Sequence, residues 1–129
     1  MTTATLAAAL IRVFEGCRLT AYQDTGGIWT IGFGHTGPDV TAGLTISMDQ
    51  AEDLLVKDAA PLFALVADKP LHAAAAYVSF GYNCGLHSLQ LVLAGSAQMQ
   101  NYVHDRMGHT LSGLVARRGL EMALIASTQ

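Results

Sequence analysis

The sequence predicts an α+β fold: a leading helix, a small antiparallel sheet, then a run of helices. Three observations carry this. Apolar residues recur at helical steps before position 17. The period changes to alternation between Leu19 and Phe33. Helical periodicity then returns after a Ser-x-x-Gln sequence at Ser47 and persists to the end.

Leu6, Leu10, Val13, Phe14 and Cys17 form one apolar stripe, which predicts a helix over 4–16 with Gly16 as its stop. Across 28–33, Trp29, Ile31 and Phe33 alternate with Ile28, Thr30 and Gly32. Thr25-Gly26-Gly27, between Asp24 and Ile28, is a turn signal, so residues 20–33 read as a β-hairpin. The Gly-, Pro- and Thr-rich stretch 35–44 reads as a loop with a short third strand, placing the sheet within 19–46. Ser47-Met48-Asp49-Gln50 has the form of a capping box. It opens a helix over 48–66 with Ala51, Leu54, Leu55, Ala59 and Leu62 inward, and Pro61 is expected to kink or divide it. Pro70 suits the first turn of the next helix, 70–83, with Leu71, Ala74, Val78 and Tyr82 on one side. A short helix is expected over 87–94, ended by Gly95, and another over 97–107. The last, from Ser112, is expected to bury Leu114, Val115, Met122, Ala123 and Leu124. The whole chain, 1–129, reads as one domain, with a helical lobe over 47–129.

Composition excludes several classes. Charged residues make up 13% of the chain and 51% are hydrophobic, which excludes a disordered polar chain. Seven Lys and Arg stand against ten Asp and Glu, so the basic footprint of a nucleic-acid module is missing. The apolar stretches Leu6–Phe14 and Leu71–Phe80 fall well short of the roughly 20 residues of a membrane span, and no membrane insertion is expected. The N-terminus lacks the basic region of a signal peptide, which predicts synthesis into the cytoplasm. Cys17 and Cys84 do not make a disulfide framework. They read as free thiols, with a Cys17–Cys84 bridge after export as the alternative. None of the five histidines has metal-ligand spacing, so neither metal nor cofactor is expected.

The chain has three glutamates: Glu15, Glu52 and Glu121. Glu52 sits among Asp49, Asp53 and Lys57 and reads as part of a solvated face. Glu121 follows Arg117 by four positions and reads as a helix-surface ion pair. Glu15 closes the first helix. The partial negative charge of a helix C-terminus and partial burial both favour a protonated carboxyl, the form a general acid needs. Asp24 lies nine positions on, at the hairpin turn, where a plain turn role is the alternative. Thr30 lies six further, on the returning strand. An acid, a carboxylate in a polar site and a hydroxyl lining one cleft suit glycoside hydrolysis.

The run from Phe14 to His35 contains Glu15-Gly16-Cys17-Arg18-Leu19, Tyr22-Gln23-Asp24 and Thr30-Ile31-Gly32-Phe33-Gly34-His35. It resembles the signature of the phage-type lysozymes, the endolysins of glycoside hydrolase family 24. That pattern is Glu, eight residues, Asp, five residues, Thr, set in Glu-Gly-x-Arg-Leu-x-x-Tyr-x-Asp and Thr-x-Gly-x-Gly-His. Further likeness lies in Ile46–Leu55, in Tyr77–Gly85 and in Gly113–Glu121. The resemblance implies a lysozyme-like fold and a muramidase that cuts the β-1,4 bond between N-acetylmuramic acid and N-acetylglucosamine in peptidoglycan, with inversion. Glu15 would be the general acid, Asp24 would stabilise positive charge and help activate water, and Thr30 would position that water. Thr36 and Tyr82 would contact sugar. His35 would pair with Asp58 as structural support, and Arg117 would brace the first helix near Glu15. The alternatives are a lytic transglycosylase and a degenerate glycan-binding protein.

Two departures stand out. Asn83 and Gly113 are closer together than in typical members, as though a short helix were missing, and the Trp before the last helix is absent. A shortened apolar lobe implies self-association through the C-terminal helices. The resemblance, with no exported leader in view, implies residence in the host cytoplasm until a holin admits the enzyme to the cell wall.

Overall fold

The computed structural model describes residues 1–127 and begins with helix α1 (Thr3–Glu15). Thr2 caps it, its hydroxyl accepting the Thr5 amide at 3.1 Å. Gly16 ends it at φ 65°, a conformation a Cβ would strain, and returns its N–H to the Arg12 carbonyl. The buried stripe is Ala7, Leu10 and Ile11, with Leu6, Phe14 and Cys17 partly covered. Val13, expected inside, is 79% exposed. Ala7, Leu10 and Ile11 turn inward instead, and Ala7 lines a small cavity with Leu55, Ala59 and Phe63 of the helix that follows the sheet.

The sheet has three antiparallel strands in the order β1 (Arg18–Gln23), β2 (Trp29–Gly32) and β3 (His35–Thr36). A register shift between Arg18 and Tyr22 bends β1. Residues 44–46 close its outer edge through Ala21 N–H to the Leu44 carbonyl and Ile46 N–H to the Leu19 carbonyl. Tyr22, Thr30 and Thr36 lie side by side across the sheet. Ile31 points the other way and is fully buried.

Helix α2 (Met48–Phe63) opens on a complete capping box: Ser47 Oγ accepts the Gln50 amide, and Gln50 Oε1 accepts the Ser47 amide. Ala51, Leu55, Ala59 and Leu62 are buried, while Leu54 is only half-buried. Pro61 falls in the last turn. There the helix tightens into a 3₁₀ turn, Ala64–Val66, without dividing earlier. Arg12 of α1 makes a bidentate pair with Glu52 of α2, Nε to Oε1 at 2.8 Å and Nη2 to Oε2 at 2.7 Å. Glu52 is therefore an inter-helix partner rather than part of a purely solvated face.

Helix α3 (Leu71–Cys84) is the axis of the fold. It is buried from Ala73 to Ala76 and from Val78 to Gly81, far more than one side, because α1, α2, α4 and α5 all pack on it. A Cβ on Gly81 would stand 2.8 Å from Leu62 and 2.9 Å from Leu89, so glycine there lets α2 and α4 (Leu86–Leu93) approach together. The helix expected over 97–107 does not form. Met99–Asn101 make a single 3₁₀ turn, and the chain then doubles back so that His104 bridges Thr110. Asp105 decides this locally: its Oδ1 accepts the Met107 and His109 amides at 2.9 Å, offering the backbone an alternative to helix.

Helix α5 (Ser112–Ala126) also departs from expectation. Its inward residues are Arg117, Arg118 and Glu121, while Val115 and Met122 are 48% and 39% exposed and Ala123 is exposed. Leu114 and Leu124 are half-buried. Apolar periodicity misplaced this face because these charges are buried as ion pairs, Glu121 with both arginines and Arg117 also with Glu15. Cys17 and Cys84 are both free. Among the described residues, no helix is long and apolar enough to cross a membrane.

Candidate active site

Glu15, the last residue of α1, points back over the β2–β3 turn. Its Oε1 lies 2.9 Å from where a Cβ on Gly34 would stand, and Gly34 has φ 81°. Glycine here meets both a left-handed backbone and a carboxylate approaching at close range. Arg117 Nη1 donates to Glu15 Oε2 from α5. The Glu15 side chain is 19% exposed and that of Arg117 4%, so one face of the carboxyl meets solvent and the other a buried cation.

Arg117 is itself held. Its Nη2 donates to the Ser79 carbonyl at 3.0 Å, its Nε lies 3.3 Å from Glu121 Oε2, and its guanidinium stacks 5.0 Å from the Phe14 ring centre. Glu121, expected on the surface, is fully buried. Ser79 Oγ donates to its Oε2 at 2.6 Å, and Arg118 Nε lies 2.7 Å from its Oε1 as an ion pair without hydrogen-bond alignment. Burial pushes the Glu121 carboxyl up from the ordinary range, and the Ser79 hydroxyl and both guanidiniums pull against that rise. Arg118 reaches on to Asn83 Oδ1 and Cys84 Sγ, both at 2.8 Å; burial raises the Cys84 thiol, and the Arg118 contact pulls against that rise. The sequence carried one usable signal for this network: a lone hydroxyl, Ser79, inside an otherwise apolar buried helix requires a partner.

At the other end of the site, Asp24 terminates β1. Its Oδ1 accepts the amides of Gly26 at 2.8 Å and Ile28 at 2.9 Å, the turn chemistry read from the sequence. Its Oδ2 has no hydrogen-bond partner among the described residues. Thr30, 4% exposed, donates its hydroxyl to the Ile28 carbonyl at 2.9 Å. The Arg106 guanidinium lies against Gly26, 2.6 Å from where a Cβ there would stand, so the 104–110 loop reaches the turn that carries Asp24.

Beside Gly34, which Glu15 approaches, lies a groove of about 350 Å³ lined by Gly34, Thr36, Asp58, Leu62, Tyr82 and Leu86, among others. Thr36 and Tyr82 thus meet at one groove. Tyr82 donates its hydroxyl to the Phe33 carbonyl at 2.5 Å, which fixes the ring. Burial, and then the nearby Asp58 and Glu15 carboxylates, raise its phenol well above the ordinary value. Below the groove, His35 Nδ1 meets Asp58 at 2.6 Å and Nε2 meets Asp39 at 2.9 Å. Burial works to lower the imidazole, but hydrogen bonds to Asp58 and Asp39 outweigh it and the net shift is upward. Among the described residues, no three His, Cys, Asp or Glu side chains could hold a metal ion. The arrangement offers a carboxyl at a helix end, a second carboxylate with one oxygen unbonded among the described residues, and a groove faced by Thr36 and Tyr82.

Comparison with known proteins bears on the family and the fold. The family model described as phage lysozyme matches residues 12–121. The endolysin of Lactococcus phage c2 is 38% identical over 128 residues, spanning 89% of this chain and 56% of that protein. The chain thus spans about half the length of such relatives. Among solved structures, the endolysin of Escherichia coli O157:H7 phage FAHEc1 superposes with TM-score 0.79 at 28% identity, covering 100% of this chain and 96% of that one. The muramidase domain of SpmX from Asticaccaulis excentricus gives TM-score 0.75 at 28% identity, over 92% and 93%.

Proposed function

The chain belongs to the phage lysozyme family, and on that premise we propose that it is a peptidoglycan muramidase. It hydrolyses the β-1,4 bond between N-acetylmuramic acid and N-acetylglucosamine, with inversion at the anomeric carbon. Glu15 protonates the glycosidic oxygen. Asp24 faces the developing positive charge with its free Oδ2 and helps activate water. Thr30 donates to Ile28, so its oxygen is left to accept from that water. Sugar rings lie along Thr36 and Tyr82. His35 with Asp58, and Arg117 behind Glu15, hold these groups in place.

The observation that carries the reading is Glu15 fixed between Arg117 and Gly34, where Gly34 lines a groove with Thr36 and Tyr82, and Thr36 belongs to the sheet row Thr36–Thr30–Tyr22 that leads to the Asp24 turn. General acid–base residues of this kind are worth about 10²–10⁴ in rate, and inversion leaves room for water between two carboxylates. The test is end-group analysis of muropeptides released from purified peptidoglycan. The reading expects reducing ends formed first as the inverted anomer. A 1,6-anhydro product would assign a lytic transglycosylase instead, and glycan binding without product would assign a degenerate binding protein.

The same reading places the enzyme in the host cytoplasm until a membrane-permeabilising holin admits it to the wall. Wall-degrading activity in the medium of intact cells expressing this protein alone would contradict that step.

A further inference from the structure

A proton donor braced by an arginine presents a conflict. An unopposed guanidinium at hydrogen-bond distance stabilises the ionised carboxylate, the form that has no proton to give. Arg117 is such a guanidinium, and it touches Glu15 directly.

The charged groups facing Arg117 are Glu15 from α1 and Glu121 from its own helix, with Arg118 adjacent. Ser79 of α3 supplies its hydroxyl and carbonyl, and Phe14 of α1 its ring. On the groove side of Glu15 stand the Tyr82 phenol and, from α2, Asp58. Glu121 has no exposure at all, whereas the Glu15 side chain keeps 19%. Two buried guanidiniums therefore converge on one wholly buried carboxylate. Both guanidiniums and the Ser79 hydroxyl favour its ionised form against the burial that opposes it. We propose that Glu121 is a positioning residue: it draws part of the Arg117 charge away from behind, so that Arg117 holds Glu15 in place with a weakened electrostatic pull on it. Arg118 holds Glu121 against Ser79 and α3. The proposal rests on Glu15 being the proton donor, but its electrostatic part is measurable apart from catalysis.

The test uses Glu121→Gln, which keeps the shape and the Ser79 contact but removes the charge. With only three glutamates in the chain, carboxyl-¹³C glutamate labelling leaves two signals in this variant, Glu15 and Glu52. The Glu15 titration midpoint is expected to fall by about one pH unit or more relative to wild type, the size of a gained cation contact. The alkaline limb of the kcat/KM profile on peptidoglycan should move the same way, with activity about tenfold lower along that limb and little changed on its acid side. Glu121→Asp, which keeps the charge, should restore both. If Glu121→Gln does not fold, Glu121→Met, which also removes the charge and fills the space with an apolar chain, carries the same expectation. A Glu15 midpoint within about 0.3 pH units of wild type in a folded variant overturns the proposal, as does activity lowered equally at all pH values. If the midpoint moves but wild type cleaves no glycan, the functional reading fails and the electrostatic one stands.

Discussion

The two ends of the site are built by different physics. Asp24 sits on a hairpin tip, and its carboxylate is aimed by two amides within four residues of it. Glu15 is aimed by partners remote in sequence: Arg117 on the last helix, then Ser79 and Glu121 behind it. One end is local and half-solvated, the other tertiary and buried. Damage at the Asp24 end should therefore cost activity with little stability, and damage at the Glu15 end should cost both.

The largest effect is expected at Arg117. Replacing it with Met leaves Glu121 and Ser79 facing each other in the core with half their cationic partners gone. The expected loss is about 3–5 kcal/mol, the usual consequence of breaking a buried pair from one side, read by urea denaturation. Retention of wild-type stability would erase the contrast between the two ends. Gly34→Ala comes next. Its Cβ would meet Glu15 Oε1, and φ 81° disfavours any Cβ, so a loss of about 1–2 kcal/mol should accompany a clear fall in activity.

A smaller effect tests the support under the groove. The His35 imidazole is raised above its ordinary 6.5 on folding. Its pairing with Asp58 and Asp39 therefore stabilises fully below about pH 6.5 and is lost as pH rises through the higher folded value. The Tm gap between wild type and His35→Asn should shrink between about pH 6 and pH 9. A gap that widens would reverse the sign. Smallest in stability is Asp24→Asn. The Asn carbonyl can still accept the Gly26 and Ile28 amides, so stability should stay within about 0.5 kcal/mol of wild type, while activity falls by about 10² or more. A large stability loss here would make Asp24 a structural residue first.

The same contrast explains what was legible in the sequence. The α+β class, the hairpin, the turn at Asp24 and the Ser47–Gln50 capping box are local patterns, and each is present in the fold. The Glu15–Gly34–Arg117 end depends on contacts between distant segments. The family resemblance placed Arg117 beside Glu15, yet periodicity put Glu121 on the surface and aliphatics inside α5. A helix burying Arg117, Arg118 and Glu121 looks polar to any hydropathy rule, because that rule counts charges singly and takes no account of their pairing. The missing helix over 97–107 failed for the opposite reason: Asp105 outcompeted helical bonding at short range.

The most direct test of the central claim is the rate at which purified peptidoglycan suspensions clear with wild type beside Glu15→Gln, under conditions where both are folded. The account predicts that the variant loses at least about 10²-fold in rate while still binding the wall. Clearance by Glu15→Gln at the wild-type rate would contradict it.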